Sequence, residues 1–389
     1  MRSNLSFMKL LFLIFSLFSS CKKPANYTAV TPLPNTPVTL LASNLTHSTD
    51  TSETVILKSD SPWEVGSLYC YSVFQKDSIV SLYYTAGDIN NTVHLCYAYS
   101  TDGVHFIKPN LGQTLFNGNK NNNIIDVNLV GTSFFYDSQS AYPYKIIGMA
   151  GDLKQHIAYS SDGIHFTVNP QAIVDYFCDS QNQIIYDAEL KKYQYYLRNY
   201  VYDTTITNPV QGQSYYYRGV CYFDADTLQP IHITGTPITH PFAKTLVIST
   251  EFPTILNYNR KLGECDIYLS SIIKYTSGVY ISYASIFHHF PPPPIGQYPN
   301  DGYSSIALYT STDGKTFTLY APNFINENPT TYHLATGFAC ENNMILNYYW
   351  KNFNTHGNEN KVGEYVMRKY TIDSNLLTSI KAYNNIKSN

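Results

Sequence analysis

Acidic residues stand before or inside several apolar, strand-like segments of this sequence, where their carboxyl groups could do acid–base chemistry. A carboxylic acid and a carboxylate that face each other can protonate a leaving group and assist a nucleophile. The acids placed in this way are four catalytic candidates, Asp179, Glu251, Asp266 and Asp301, and two substrate-binding candidates, Glu64 and Asp126.

Asp179 and Glu251 are the pair that this pattern favours. Asp179 comes shortly before an apolar strand, and Glu251 is followed by Phe252-Pro253. A dry setting raises the pKa of a carboxyl group, so we expect Glu251 to act as the protonated acid and Asp179 as the ionised partner. Asp179 could instead be a strand-entry residue that bonds its own backbone, and Glu251 an exposed strand-end residue.

Asp266 and Asp301 are the second choice. Asp266 lies between Cys265 and Ile267 in a segment with the pattern of a strand, where burying an unpaired carboxylate is costly. Asp301 belongs to an Asn-Asp-Gly turn signal that follows a loop long enough to fold over a site.

Amide, guanidinium and imidazole groups near these acids could bind a substrate. An arginine beside a carboxylate favours its ionised form, as Arg198 or Arg218 could. Adjacent residues of a strand point to opposite faces, so at most one of two neighbouring histidines reaches a ligand, and each could equally be a packed side chain. The binding candidates of this kind are Asn182, Arg198, His288, His289 and His333.

The composition limits the classes of ligand and cofactor. Charged residues make up 14% of the 389 residues and the net charge is −3, so the chain lacks the basic field of a nucleic-acid-binding protein. Hydroxyl and amide groups carry its polarity, which suits a neutral, hydroxyl-rich ligand. The cysteines form no CxxC pair, so we expect no metal site of the usual zinc type. Phosphate-loop and dinucleotide glycine patterns are also missing, so we expect no cofactor.

Short alternating runs rich in tyrosine predict half-buried antiparallel strands, and one turn motif recurs among them. Tyr99–Phe106, Tyr159–Phe166 and Tyr309–Phe317 share a Ser-x-Asp-Gly or Ser-Thr-Asp-Gly core, which we interpret as a tight hairpin turn. Asp102 and Asp162 of the first two copies lie about 60 positions apart in the sequence. Repeats of that length, each containing several strands, indicate an all-β fold, a five-bladed β-propeller of four-stranded antiparallel blades. The predicted blades are 60–110, 120–170, 176–232, 248–320 and 332–375.

The N-terminus has the pattern of an export signal. Arg2 and Lys9 precede an apolar run that ends at Ser19-Ser20-Cys21, too short for a membrane span. Its end resembles a bacterial lipobox, with Phe18 where leucine is usual, although an ordinary signal peptide with an incidental cysteine remains an alternative. We therefore expect residues 1–21 to be a lipoprotein signal peptide with a lipidated Cys21, 22–55 a flexible tether and 56–389 the propeller. The protein would then be exported and lipid-anchored to the bacterial cell envelope, at the outer membrane, on its periplasmic face or at the surface.

The run Tyr97–Gly112, with the Asn-Gly and Asn-Asn segments that follow it up to Ile124, resembles bacterial glycosidase-like five-bladed propellers. These are similar to the superfamily of glycoside hydrolase families 32, 43, 68 and 117. The resemblance implies that the first strand of each blade lines a central funnel, where acids at the blade starts converge. It implies a glycoside hydrolase that acts on an oligosaccharide or polysaccharide. With the export signal, we expect this hydrolase to be anchored to the membrane, and we expect it to be a monomer. The alternatives are a non-catalytic glycan-binding lipoprotein of an uptake system, or a propeller that binds other proteins.

Overall fold

The computed structural model describes residues 49–179, 181–202, 216–232, 235–238, 246–249, 254–256, 265–289, 302–325, 331–341, 344–356 and 364–371. Its regular elements are 23 strands, of which 21 form the five antiparallel blades of a β-propeller and two form a separate hairpin, so the predicted fold class is confirmed. Within the described residues no helix is long and apolar enough to cross a lipid bilayer.

The first two blades follow the chain without interruption. The N-terminal strand β1 (Thr49–Leu57) lies outside both of them. Blade one consists of β2 (Ser67–Lys76), β3 (Ile79–Gly87), β4 (Val93–Ser100) and β5 (Ile124–Ile125). Blade two consists of β6 (Val130–Tyr136), β7 (Tyr144–Met149), β8 (Gln155–Ser160) and β9 (Thr167–Val174).

Blade three contains an insertion before its outer strand. Its strands are β10 (Gln183–Asp187), β11 (Lys192–Tyr202), β12 (Tyr216–Ala225) and, after a separate hairpin of β13 (Gly235–Ile238) and β14 (Leu246–Ser249), β15 (Thr254–Leu256). The predicted boundary at residue 248 therefore assigned β15 to the wrong blade. Blade four consists of β16 (Cys265–Thr276), β17 (Val279–His289), β18 (Gly302–Ser311) and β19 (Thr318–Ile325).

Blade five joins the two ends of the described chain. It contains β20 (Thr331–Leu334), β22 (Met344–Asn352), β23 (Glu364–Thr371) and, paired with β22, the short β21 (Ala339–Glu341). Its outer strand is β1, which pairs antiparallel with β23. Residues 49–55, which the sequence placed in the flexible tether, are thus part of a blade.

The core consists of five layers, one between each pair of neighbouring blades. Consecutive residues of one strand belong to different layers: Tyr195 packs between blades two and three, and Tyr196 between blades three and four. Both faces of the middle strands are therefore buried, as the pattern of β3 shows, with eight consecutive buried residues. The prediction of half-buried strands was wrong there, because blades stack face to face and leave neither face to solvent.

The inner strands β2, β6, β10, β16 and β20 surround the axis, and hydrogen bonds connect β2 to β6 and β10 to β16. The Ser72 hydroxyl accepts a hydrogen bond from the Phe134 amide at 2.9 Å, and the Val73 amide donates to the Thr336 carbonyl at 2.8 Å. Residues 72 and 336 form a parallel bridge. Inner strands that run in the same direction begin at the same end of the ring, so their first residues meet around one opening.

The Asp-Gly motif lies in a hairpin connection and its glycines have a positive φ, as predicted, but the turn is a longer loop with its own hydrogen-bond network. In the first copy the Ser100 hydroxyl accepts from the Gly103 amide at 2.9 Å and donates to Asp102 Oδ1 at 2.8 Å. The same Oδ1 accepts the amides of Val104 and His105, both at 2.8 Å. This network caps the connection from the third strand of the blade to its fourth, and it recurs at residues 160–165 and 311–316.

Candidate functional site

The beginnings of the inner strands bring several predicted site residues together. Asp179 lies just before β10, Asp266 is the second residue of β16, and His333 is the third residue of β20. Arg198 comes from β11 of blade three. These positions place acidic, basic and imidazole groups from three blades at one end of the ring.

Asp179 is held by an arginine and by its own backbone. Arg198 Nη1 donates to Asp179 Oδ2 at 2.8 Å, and the arginine is 4% exposed whereas the aspartate side chain is 22% exposed. The Asp179 carbonyl accepts the side-chain amides of Asn182 at 2.7 Å and Gln155 at 3.2 Å. These bonds fix Asp179 at a φ of 55°, a left-handed conformation that few non-glycine residues adopt and that is concentrated at functional sites.

One oxygen of Asp179 remains open. Among the residues that the structure describes, its Oδ1 has no hydrogen-bond partner. Asn182 also supports the arginine, since its Oδ1 accepts the Arg198 backbone amide at 2.9 Å.

The neighbouring thiol of Cys178 is not a nucleophile, because burial, together with the charge of Asp179, raises its pKa well above the usual range.

Asp266 makes a two-pronged ion pair. Arg218 Nε donates to Asp266 Oδ2 at 2.6 Å and its Nη2 to Oδ1 at 2.8 Å, the bidentate geometry of a strong arginine–carboxylate pair. The Asp266 side chain is 7% exposed. The sequence predicts that a carboxylate within a strand, such as that of Asp266, needs a partner. Arg218 of the neighbouring blade is that partner.

Tyr268 of β16 connects the two ion pairs. Arg198 donates to its carbonyl oxygen. The guanidinium carbons of Arg198 and Arg218 lie 5.6 and 4.7 Å from the centre of its ring. Its hydroxyl lies 3.2 Å from Nε2 of His356. Both carboxylate–arginine pairs are thus arranged around one aromatic side chain, which cation–π contacts help to orient.

An aromatic wall extends this cluster across blades five and one. The ring of His333 lies 5.6 Å from that of Tyr268, 4.9 Å from that of Trp350 and 5.6 Å from that of Tyr69, on which it stacks. Tyr69 and Trp350 are in contact at 5.2 Å. We call the set Asp179, Arg198, Arg218, Asp266, Tyr268, His333, His356, Tyr69 and Trp350 the Tyr268 cluster.

The sequence did not single out Tyr268, His356, Tyr69 or Trp350. Nothing local distinguishes Tyr268 among 37 tyrosines. The available signal was position, because Tyr69 and Tyr268 are each the third or fourth residue of an inner strand. Had the strand starts been placed correctly, the aromatic residues next to the acids could have been chosen.

Glu64 lies in a different network. Its side chain is fully buried, its Oε1 accepts the Tyr84 hydroxyl at 2.6 Å, and its Oε2 accepts Lys108 Nζ at 2.7 Å. Burial raises the pKa of Tyr84 well above the usual range, so the phenol stays a donor. Glu64 therefore bonds to side chains of blade one, and none of these contacts is with a residue of the Tyr268 cluster.

The remaining predicted site residues lie elsewhere or outside the described chain. Asp126 is exposed in the connection between β5 and β6, and its amide donates to Gln113 at 3.1 Å. The ring of His288 stacks on Tyr303 and bonds to Ser305 at 2.7 Å, inside blade four. Four predictions fall outside what the structure describes: Cys21, Glu251, Asp301 and the side chain of His289.

The chemistry available to the Tyr268 cluster is binding and acid–base catalysis. The described residues contain no group of three or more His, Cys, Asp or Glu side chains arranged to hold a metal ion. The cluster offers one reachable carboxylate oxygen, on Asp179. Of its rings, Tyr69 is partly exposed, Tyr268 and His333 are 8% and 6% exposed, and Trp350 is fully buried.

A cavity of about 580 Å³ lies at the opposite end of the axis, where the inner strands end. Phe74, Phe134, Tyr186 and Phe338 line it, and none of the predicted site residues does. Its charged groups bond to one another, as Lys274 Nζ does to Asp187 Oδ1 at 2.7 Å. The candidate site is therefore defined by the Tyr268 cluster and not by this cavity.

No protein-family model matches the sequence, and no curated protein matches it either. Solved structures do resemble the fold. One, described as a glycoside hydrolase, is 9% identical over 87% of this chain and 96% of its own, with a TM-score of 0.52. A glycosyl hydrolase from Bacteroides ovatus is 13% identical over 91% and 94%, with a TM-score of 0.49. An endo-arabinase from Bacteroides thetaiotaomicron VPI-5482 is 13% identical over 83% and 99%, with a TM-score of 0.48. The expected resemblance to five-bladed glycoside hydrolase propellers is confirmed at the level of the fold.

Proposed function

We propose that this protein is a glycoside hydrolase that binds a glycan at the Tyr268 cluster and cleaves it with Asp179 as one of its carboxylates. The observation that carries the proposal is the exposure and orientation of the Asp179 carboxylate. It is reachable, it is oriented by Arg198 and by a left-handed backbone, and one of its oxygens is open within the described chain. Strained, pre-oriented carboxylates beside aromatic rings suit catalysis better than fold stability.

The other residues of the cluster have supporting roles in this proposal. Asp266 has both oxygens engaged by Arg218, so it positions that arginine over Tyr268 and does not transfer a proton. Tyr69, which is partly exposed, is the ring that offers surface to a sugar, and the buried Trp350 and His333 pack against it and hold it in place. Glu251 remains the proposed general acid, on the sequence argument alone.

The substrate in this proposal is a neutral glycan. Both arginines of the described cluster are already paired with aspartates, so neither is available to attract a uronic acid or a sulfate ester. Aromatic rings and neutral polar groups recognise sugar rings by their apolar faces and hydroxyls. The low charge of the whole chain agrees with this choice.

The test is a screen for sugars released from plant, algal and host polysaccharides, with Asp179→Asn beside the wild type. We expect at least one neutral polymer to be cleaved, and the variant to be about 10² to 10⁴ times slower. Asp226→Asn is the matched control, since it removes an acid that is 85% exposed and follows β12 at the end of blade three opposite to Asp179, and it should keep full activity. Equal activity in Asp179→Asn would refute its role, and binding without any release of sugar would favour the glycan-binding alternative.

We also propose that Cys21 carries a lipid that anchors the protein to the bacterial cell envelope. The support is the sequence pattern of the first 21 residues. A Cys21→Ala variant should leave the membrane fraction, and recovery of this variant in membranes to the same extent as wild type would refute the anchor. Protease treatment of intact cells would then distinguish the cell surface from the periplasmic face.

A further inference from the structure

A second concave surface lies between blades two and three, away from the Tyr268 cluster. It is a cavity of about 350 Å³ between β9, the outer strand of blade two, and the segment that follows β12 of blade three. Ile157 and Ile173, both buried, form its floor. Leu228 and Pro230 contribute the side that belongs to blade three. No residue of the Tyr268 cluster lines this cavity.

An exposed but well-positioned tyrosine forms one wall of the cavity. Tyr142 is 51% exposed, and its ring packs on that of Tyr159 at 5.1 Å. Lys145 Nζ donates to the Tyr142 carbonyl at 2.6 Å, and the Tyr142 amide donates to the Ser140 hydroxyl at 3.2 Å. The loop between β6 and β7 therefore holds this ring in place before any ligand arrives, which reduces the entropy lost on binding.

The polar groups of the cavity are neutral and open. The hydroxyls of Tyr142 and Tyr159 and the side-chain amide of Gln171 have no hydrogen-bond partner among the residues that the structure describes. The one charged side chain of the lining, Lys145, is paired with Asp137 at 3.2 Å. An apolar ligand would leave the phenols and the amide unpaired, and an anion would have to compete with Asp137 for Lys145.

From this combination we propose that the cavity binds a neutral saccharide unit, as a second glycan-binding site distinct from the Tyr268 cluster. The exposed ring of Tyr142 would pack against the apolar face of the sugar. The phenols and the Gln171 amide would bond to its hydroxyls, since each can donate and accept. The site requires no catalysis, so the proposal goes beyond the hydrolase proposed above and does not depend on it.

The experiment is native electrophoresis of the purified chain in gels that contain soluble arabinan, galactan or arabinoxylan, with polygalacturonate as the acidic comparison. All samples carry Asp179→Asn, so that the polymer stays intact. We expect at least one neutral polymer to retard the protein, and Tyr142→Ala to weaken the binding about tenfold, or 1.4 kcal/mol. Gln171→Ala should weaken it less, Tyr142→Trp should preserve it, and Leu115→Ala, which removes an exposed apolar side chain of blade one, should leave it unchanged.

Two outcomes would overturn the proposal: no retardation by any neutral polymer, or retardation that is the same in Tyr142→Ala and Gln171→Ala as in their parent. Circular dichroism and thermal melting check that each variant is folded. The proposal fails separately from the proposed hydrolase. Retardation that depends on Tyr142 in a protein that releases no sugar supports the second site alone, and cleavage with retardation that ignores Tyr142 supports the hydrolase alone.

Discussion

The hydroxyl of Tyr83 in blade one donates a hydrogen bond of 2.9 Å to the carbonyl oxygen of Gly163 in blade two. The same contact recurs around the ring, from Tyr348 of blade five to Gly103 of blade one and from Tyr196 of blade three to Gly314 of blade four. In each case a tyrosine of a second strand holds the Asp-Gly loop of the next blade. The repeated motif therefore also connects neighbouring blades, and this role explains part of the tyrosine content. We call the hydrogen bond from the tyrosine hydroxyl to the glycine carbonyl the latch.

Removing the latch hydroxyl should destabilise the propeller. Tyr83 is 2% exposed, so Tyr83→Phe leaves the Gly163 carbonyl without its buried partner, and we expect a loss of about 1 to 2 kcal/mol in the free energy of unfolding. Urea denaturation measures this loss. Tyr99→Phe is the control, because the Tyr99 hydroxyl bonds to no described residue. Equal stability of the two variants would show that the latch contributes nothing.

The glycine of the latch is needed for its conformation and for space. Gly163 has a φ of +82°, and a Cβ there would lie 2.9 Å from Tyr144 Cδ1 and 3.1 Å from the Tyr83 hydroxyl oxygen. Gly118 has nearly the same φ, +80°, but no atom within 4 Å of the added carbon. We expect Gly118→Ala to cost about 1 kcal/mol from backbone strain alone and Gly163→Ala to cost clearly more. Gly163→Val should lower the free energy of unfolding by about 1–3 kcal/mol. Denaturation curves that give the two alanine variants equal stability would contradict the steric part.

An ion pair between blades three and four should make stability depend on pH. Burial alone would raise the pKa of Asp224, but hydrogen bonds from Lys192, Lys315 and Tyr222 outweigh it and lower the pKa from 3.8 to about 2. A pKa that is lower in the folded chain stabilises the protein above pH 4, and the contribution is lost as the pH falls from 4 to 2. We expect about 1 to 2 kcal/mol, reduced by the exposure of both lysines.

Melting temperatures between pH 2 and 7 measure this contribution. Asp224→Asn should lower stability at pH 7 and flatten the decline below pH 4. Asp226→Asn is the matched control, since Asp226 is 85% exposed and lies 3.8 Å from the same Lys192. A profile of Asp224→Asn that falls below pH 4 as steeply as the wild-type profile would contradict the assignment.

The blades could be predicted from sequence because their signal is local. The Ser, Asp and Gly of one loop bond to residues at most three positions away, so the same short motif appears wherever that loop is needed. The closure of the ring had no such signal. β1 begins with the polar residues Thr49-Asp50-Thr51-Ser52, and only its pairing with β23, more than 300 residues later in the chain, identifies it as a strand.

The candidate site was predictable for the same reason only in part. Asp179 was chosen as the acid before one strand and Arg198 as a residue of the next, and the structure pairs them. Asp266 was also chosen, but its bidentate bonds with Arg218 depend on how two blades meet, which no local pattern encodes. Glu64 shows the converse, since an acid before a strand can be buried in its own blade and bonded to a distant lysine.

Glu64 should therefore matter for stability and not for activity. Glu64→Gln removes a fully buried charge and leaves Lys108, which is 15% exposed, without its best partner, so we expect a loss of about 3 kcal/mol in the free energy of unfolding. Asp60→Asn is the control. Asp60 contacts the same lysine but is 67% exposed, and its removal should cost less than about 1 kcal/mol. Turnover per folded molecule, measured at 25 °C on a polymer cleaved by the wild type, should be unchanged in both variants. If Glu64→Gln kept wild-type stability and lost turnover, the carboxylate would belong to the active site, and the separation of its network from the Tyr268 cluster would be wrong.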